Sequence, residues 1–150
     1  MNPIKRIALA ATLALATLVG AAGFAAGPAS AATNNTKCFY TPTYQNFTHN
    51  AAGAVAHGVT ESVTFCTDGT HVVSLTNTHS QQHSSPWAFS QWHNFTSWGG
   101  AGQPIWGYTV EGHFVTCTAT TCSYYTNQIE IVAYANGTHT VSHQSFPSAW

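Results

Sequence analysis

A pair of cysteines, Cys117 and Cys122, constrains the fold of this chain more than any other feature. They enclose a polar tetrapeptide, residues 118–121, and segments rich in β-branched and aromatic residues lie on both sides. Such segments favour β-strands. A disulfide between the two cysteines would close a β-hairpin and place them opposite each other. Because side chains alternate between the two faces of a strand, this pair fixes which face each neighbouring residue occupies.

This register divides the hairpin into an apolar face and a polar face. The apolar face carries three pairs: Tyr108 with Ile131, Val110 with Ile129, and Phe114 with Tyr125. The polar face carries four pairs: Val115 with Tyr124, His113 with Thr126, Glu111 with Gln128, and Thr109 with Glu130. A slip of one residue would mix the two sets. The segregation supports the disulfide and the register together, and it predicts an antiparallel sheet with one buried side.

The polar face gathers four candidate site residues, Glu111, His113, Gln128 and Glu130. The two glutamates are diagonal neighbours in this ladder, roughly 7–8 Å apart. The patch has three interpretations: a solvated strand face, a ligand- or metal-binding patch, or a catalytic pair formed by Glu111 and Glu130. Since the sequence contains no nucleotide loop, metalloprotease motif or nucleophile motif, we predict neither a cofactor nor a metal.

Residues 1–31 have the pattern of a secretory signal peptide. Lys5 and Arg6 precede an apolar run over residues 7–24, and Ala29-Ser30-Ala31 is typical of a cleavage site. An uncleaved membrane anchor is the alternative, but the run is near the lower length limit for spanning a bilayer. The sequence therefore predicts a secreted, extracellular protein with a single β domain over residues 32–150 and no membrane contact after cleavage.

All four cysteines lie beyond residue 31, as expected for an exported protein with two disulfides. Four cysteines allow three connectivities. We favour Cys38–Cys66 together with Cys117–Cys122, because the second pair closes a hairpin. The same part of the chain holds one base, Lys37, and four acids, so it has no basic patch for nucleic acid. Its polar surface must be mostly uncharged, which suits contact with a sugar polymer or simple solubility.

Two further hairpins are predicted from Asp-Gly and Asn-Gly turns. A bulged turn at residues 67–69 would place Val63 opposite Val73. A similar turn at residues 135–137 would place Val141 opposite Ile131 and turn His143 away from Glu130. These registers also assign the two histidines that follow the turns, His71 and His139, to the core side.

Between these hairpins the sequence predicts a polar loop over residues 78–85 and then one short helix. Ser85-Pro86 is typical of a helix start, and aromatic residues follow at three-residue spacing up to Gly99: Phe89, Trp92, Phe95 and Trp98. Four tryptophans in this part of the chain are binding candidates: Trp87, Trp92, Trp98 and Trp106. Core packing, an exposed aromatic platform and a protein interface all remain open for them, and Trp87 and Trp98 are the best surface candidates.

The predicted fold is mainly β: a small antiparallel β-sandwich or open barrel of six to eight strands with one short helix and two disulfides. The leading functional hypothesis is a secreted, non-catalytic module that binds carbohydrate or cell-wall polymer through aromatic residues. One alternative is a small secreted glycan-cleaving enzyme that uses Glu111 and Glu130. Another is a structural or inhibitory protein with a protein partner.

Overall fold

The computed structural model describes residues 35–148, so the predicted signal peptide lies outside the described residues. Eight strands account for the fold: β1 (Lys37–Tyr40), β2 (Tyr44–His49), β3 (Val55–Thr67), β4 (Val72–His83), β5 (Ala88–Gly99), β6 (Ile105–Cys117), β7 (Cys122–Tyr134) and β8 (His139–Ser148). All pair antiparallel, and the predicted mainly β, antiparallel fold is confirmed. Residues 35–148 contain no helix of the length and apolarity needed to cross a bilayer.

The strands form two four-stranded sheets. In the first sheet, β3 is central: β1 and β2 pair with successive parts of one of its edges, and β4 pairs with the other. In the second sheet, β5, β6, β7 and β8 follow one another as a simple meander. Consecutive strands are neighbours here because each is joined to the next by a short turn.

The core lies between the two sheets. The first sheet contributes Val59, Val63 and Phe65, and the second contributes Phe114 and Ile129, all of them buried. Alternate residues of β3 and of the β6–β7 hairpin therefore point inward, as expected for two sheets that pack face to face. The predicted apolar face of the hairpin is this inner face.

Both predicted disulfides are present. Cys38 and Cys66 join β1 to β3 at directly paired positions, and Cys117 and Cys122 close the β6–β7 hairpin. Every predicted pair of that hairpin is observed, from Thr109 with Glu130 to Cys117 with Cys122. The two cysteines and the alternating pattern were sufficient to determine this register.

The two predicted bulged turns have different outcomes. At the β7–β8 turn, Ile131 pairs with Val141, as predicted. At the β3–β4 turn the prediction is wrong, because Val63 pairs with Asn77 rather than with Val73. The Asp68 carboxylate accepts hydrogen bonds from the backbone N–H groups of Thr70 and His71, at 2.8 and 2.7 Å. These bonds stabilise a turn that is longer than the predicted one. His71 is consequently exposed, and its predicted place on the core side is also wrong.

The predicted helix after Ser85 is wrong: these residues form strand β5. Two β-bulges explain the aromatic spacing, since each inserts one extra residue and turns a spacing of two into a spacing of three. The first bulge brings Phe89 and Trp92 to the inner face, and the second brings Phe95 and Trp98 to the outer face. The predicted loop over residues 78–85 is likewise mostly strand, because β4 continues to His83.

Candidate functional site

The side of the second sheet that points away from the first sheet is called the outer face here. It carries the predicted polar face of the β6–β7 hairpin, but it is not a plain solvated surface. Thr109, His113 and Thr126 are buried on it, while Glu111 and Glu130 are half-buried. Buried polar groups on an outer sheet face are unusual, since such positions are commonly solvated in antiparallel sheets.

Strand β5 lines one edge of the outer face with a row of three rings, Trp98, Phe95 and His93, called the ring row below. The side chain of His93 is 61% exposed, and Trp98 and Phe95 are 57% and 36% exposed. The centroids of the His93 and Phe95 rings are 5.1 Å apart. Because the second bulge puts Trp98 on the same face as Phe95, the three rings follow one another along the strand.

The indole of Trp98 is fixed in orientation by its neighbours. Gly107 lies opposite it on β6, and a Cβ atom on Gly107 would be 2.5 Å from Cδ1 of Trp98, so only glycine leaves room for the ring. The indole Nε1–H donates a hydrogen bond to Oε1 of Glu130 on β7, at 2.9 Å. The ring therefore extends from β5 past β6 to β7, and more than half of its surface remains accessible.

A compact group of titratable side chains lies next to the ring row. Oε2 of Glu111 is 2.9 Å from Nδ1 of His93 and 3.5 Å from Nε2 of His113. The other ring nitrogen of His113, Nδ1, is 3.0 Å from the Thr126 hydroxyl. Burial lowers the pKa of His113, and the carboxylate of Glu111 acts in the opposite direction. Two imidazole nitrogens and a carboxylate oxygen thus converge at one place, which is a donor set suited to a metal ion.

Residues that offer hydrogen bonds extend this group across the sheet. His93, Glu111, Gln128 and Gln144 pair directly in turn and form a polar line over β5, β6, β7 and β8. Glu130 lies outside this line, since it pairs with Thr109 and Ser142 and is held by Trp98. The structure therefore places Glu111, His113 and Gln128 together and Glu130 in a neighbouring position.

Three of the four candidate tryptophans are half-buried and pack against the core: Trp87, Trp92 and Trp106. Trp87 contacts the buried ring of His57, with centroids 4.3 Å apart, and Trp92 contacts His79, at 4.4 Å. Trp98 is the one that the structure places on the outer face. His93 was not identified from the sequence, because this segment was predicted to be a helix. In the observed strand, His93 points to the face opposite that of Trp92 and Asn94.

A cavity of about 270 Å³ lies elsewhere, between the β3–β4 and β7–β8 turns. Lys37, Asp68 and Asn136 contribute to its walls, and Phe39 lines it as well. It contains none of the candidate site residues. The outer face, not this cavity, is where the predicted residues meet.

Comparison with protein-family models, with curated proteins and with solved structures finds no match to this chain. The geometry and chemistry of the outer face are therefore the basis for a functional conclusion.

Proposed function

We propose that the protein is a secreted, non-catalytic module that binds a carbohydrate or cell-wall polymer on the outer face of the second sheet. The observation that carries this proposal is the exposure of the Trp98 side chain on the outer face. Its N–H group is already bonded to Glu130, the ring lies against Gly107, and the residue is 57% exposed. The accessible part of the side chain is thus an aromatic surface, which can stack on the apolar face of a sugar ring.

The surroundings of Trp98 also fit a linear polymer of sugars. Successive outward residues of a strand are roughly 6.6 Å apart, so the ring row offers a succession of stacking surfaces along one line. The polar line provides amide and carboxylate groups beside those rings, where sugar hydroxyl groups need partners. An extended chain of neutral sugars would find both kinds of contact on the same face.

A protein partner has less support from this surface. Protein interfaces usually have a contiguous, desolvated apolar centre. Here the exposed rings follow a single strand and are bordered by Glu111, Glu130, Gln91 and Gln128. A glycan-cleaving enzyme also has less support, since Glu111 and Glu130 are held by different partners on an open face: Glu111 by histidines and Glu130 by Trp98.

Secretion is part of the same proposal. Two disulfides link residues 38 with 66 and 117 with 122, and such bonds persist mainly in oxidising compartments outside the cytosol. Together with the signal-peptide pattern of residues 1–31, they support an extracellular location, where cell-wall polymers are accessible.

Retention on insoluble polysaccharides tests the proposed function. The purified protein is incubated with cellulose, chitin, xylan and peptidoglycan, and the bound fraction is measured over a range of protein concentrations. We expect saturable retention on at least one polymer. Trp98→Ala should weaken it about 10-fold or more, equivalent to about 1.4 kcal/mol, because the largest stacking surface is lost.

Two phenylalanines with equal exposure provide a matched control. Phe95 is 36% exposed in the ring row, and Phe146 is 37% exposed on β8, at the opposite edge of the outer face. Phe95→Ala should weaken retention, whereas Phe146→Ala should leave it unchanged. Equal losses in the two variants would show that general surface hydrophobicity, not the ring row, causes retention.

A further variant separates the position of Trp98 from its presence. In Gly107→Ala the added methyl group would displace the indole, because a Cβ atom at this position would lie 2.5 Å from Cδ1 and 3.0 Å from Cβ of Trp98. Retention should therefore fall although all rings remain. Undiminished retention in folded Gly107→Ala would contradict the claim that the orientation of Trp98 matters.

A further inference from the structure

We infer that His93, Glu111 and His113 form a binding site for one divalent transition-metal ion, such as Zn²⁺, at the end of the ring row. This inference goes beyond the proposed function, because it needs no sugar and makes no use of Trp98 or Phe95.

The distances between the three donor atoms fit a common metal ion. All lie within 4.8 Å of one another. In a tetrahedral zinc site with bonds of about 2.0–2.2 Å, neighbouring ligand atoms are about 3.3–3.6 Å apart. The two separations from Oε2 of Glu111, 2.9 Å to His93 and 3.5 Å to His113, are close to this range. Small side-chain rotations would therefore be enough to close the site around an ion.

The fold positions these ligands without a flexible loop. His93 lies directly opposite Glu111 in the β5–β6 ladder, and His113 is two residues further along β6 on the same face. Both strands belong to a four-stranded sheet whose β6–β7 hairpin is closed by the Cys117–Cys122 disulfide. Ligands on neighbouring strands are held more precisely than ligands on loops.

A contact behind the site orients one of the ligands. Nδ1 of His113 is 3.0 Å from the hydroxyl of Thr126, which is itself buried. With the proton on Nδ1, this nitrogen donates to Thr126 and leaves the Nε2 lone pair directed toward Glu111. Metal-bound histidines nearly always donate their second ring N–H to such a partner, which fixes the tautomer and the ring orientation.

Charge and exposure favour the same conclusion. Lys37 is the only lysine or arginine within residues 35–148, and the ion-pair partners of Glu111 there are the two histidines. A cation would neutralise this carboxylate, whose side chain is only 14% exposed. The exposed His93 leaves one side of the site open to solvent, so water or a ligand hydroxyl could complete the coordination. Two imidazoles suit Zn²⁺, Cu²⁺ or Ni²⁺, whereas Ca²⁺ and Mg²⁺ prefer oxygen ligands.

Calorimetric titration of the EDTA-treated, desalted protein with ZnCl₂ tests the site. We expect one Zn²⁺ per chain and no comparable binding of CaCl₂. His93→Ala and Glu111→Gln should each lower the Zn²⁺ affinity at least 10-fold. Thr126→Val should lower it by about 10-fold, since removal of such an orienting partner typically costs about 10- to 100-fold. His83→Ala, which removes an exposed histidine from β4, is the matched control and should have no effect.

Visible absorption of the Co²⁺-substituted protein provides a second measurement. A Co²⁺ ion bound by few nitrogen and oxygen ligands gives intense d–d bands. We expect these bands in the His83→Ala variant and their loss in the His93→Ala variant. Absence of one-to-one Zn²⁺ binding, or the same affinity in His93→Ala and His83→Ala, would overturn the site. Retention on polysaccharide in EDTA is measured separately, so failure of the metal site and failure of the proposed function are distinguishable.

Discussion

Glu61 is the residue whose environment departs most from what its chemistry prefers. It lies on the inner face of β3 between Val59 and Val63, it is fully buried, and neither carboxyl oxygen has a hydrogen-bond partner among the described residues. Burial raises the pKa of this carboxyl to about 8. The group is therefore mainly protonated at neutral pH, because a lone carboxylate in an apolar core is strongly disfavoured.

Replacing Glu61 should change how stability depends on pH. The folded pKa lies above the unfolded value of 4.5, so the stability associated with this group is fully present below pH 4.5 and is lost as the pH rises through 8. Glu61→Met should remove that loss, which amounts to roughly 5 kcal/mol at most. Urea unfolding at pH 6 and pH 9 measures the part of the loss that falls between these two pH values, roughly 3 kcal/mol. The control is Glu130→Gln, which changes a half-buried glutamate of the outer face. An equal decline of the unfolding free energy in Glu61→Met and in the unmodified protein would contradict the burial of a protonated carboxyl.

Single residues also show how far the candidate site could be predicted. Glu111 and His113 were identified because they share a strand and the alternation of that strand is clear. The burial of Glu61 in the core was not predicted, although the same alternation along β3 places it between two inward valines. His93 could not be assigned to the site at all, because its contact with Glu111 depends on the pairing of β5 with β6, and no local pattern specifies that pairing.

At the scale of elements, the strand register could be predicted where a disulfide fixes one residue pair, and it was left open where no disulfide does so. The β6–β7 hairpin was predicted correctly because Cys117 and Cys122 fix one pair and the apolar pattern fixes the remainder. Strand β5 has no such constraint, and its two bulges produce the spacing of an amphipathic helix. At the β3–β4 turn, hydrogen bonds to the Asp68 carboxylate favour a longer connection than the Asp-Gly pair alone would indicate.

The two disulfides should contribute unequally to stability. Cys38–Cys66 closes a separation of 28 residues and Cys117–Cys122 one of 5. From loop-closure entropy, the double serine variant of the first pair should lose about 3 to 4 kcal/mol and that of the second about 2 kcal/mol. Urea unfolding of the two double variants measures both losses. A larger loss for the 117–122 variant would show that the hairpin disulfide acts in another way than by limiting the unfolded chain.

At the scale of the whole molecule, the space between the sheets holds titratable groups with opposing effects. His57 is buried beside Trp87 and Phe114, and burial lowers its pKa although a hydrogen bond to Asn127, at 2.6 Å, acts in the opposite direction. Burial likewise lowers the pKa of His79. The sequence placed His71 and His139 on the core side: His71 is exposed, whereas His139 lies on that side, half-buried against Tyr44 and Phe65.

These groups predict a stability maximum near pH 6.5. A histidine whose pKa is lowered in the folded state contributes stability above pH 6.5, the pKa of the unfolded state. This contribution is lost as the pH falls below 6.5 toward the folded pKa. Glu61 has the opposite sign, because its contribution is lost as the pH rises toward 8. Thermal melting measured from pH 4.5 to pH 9, in EDTA, should show the highest melting temperature near pH 6.5 and lower melting temperatures at both ends of the range. A melting temperature that rises steadily to pH 9 would contradict the burial of protonated Glu61.

Binding of a sugar polymer at the outer face through Trp98 is the central claim about the whole molecule. The most direct measurement follows the indole N–H signals of ¹⁵N-labelled protein during titration with a soluble oligosaccharide, such as the hexamer of the polymer that is retained best. The signal of Trp98, assigned with Trp98→Phe, should shift in a saturable way, and the signals of Trp92 and Trp106, which pack against the core, should stay unchanged. Shifts in the core tryptophans without a shift in Trp98, or no shift at saturating oligosaccharide, would contradict the claim.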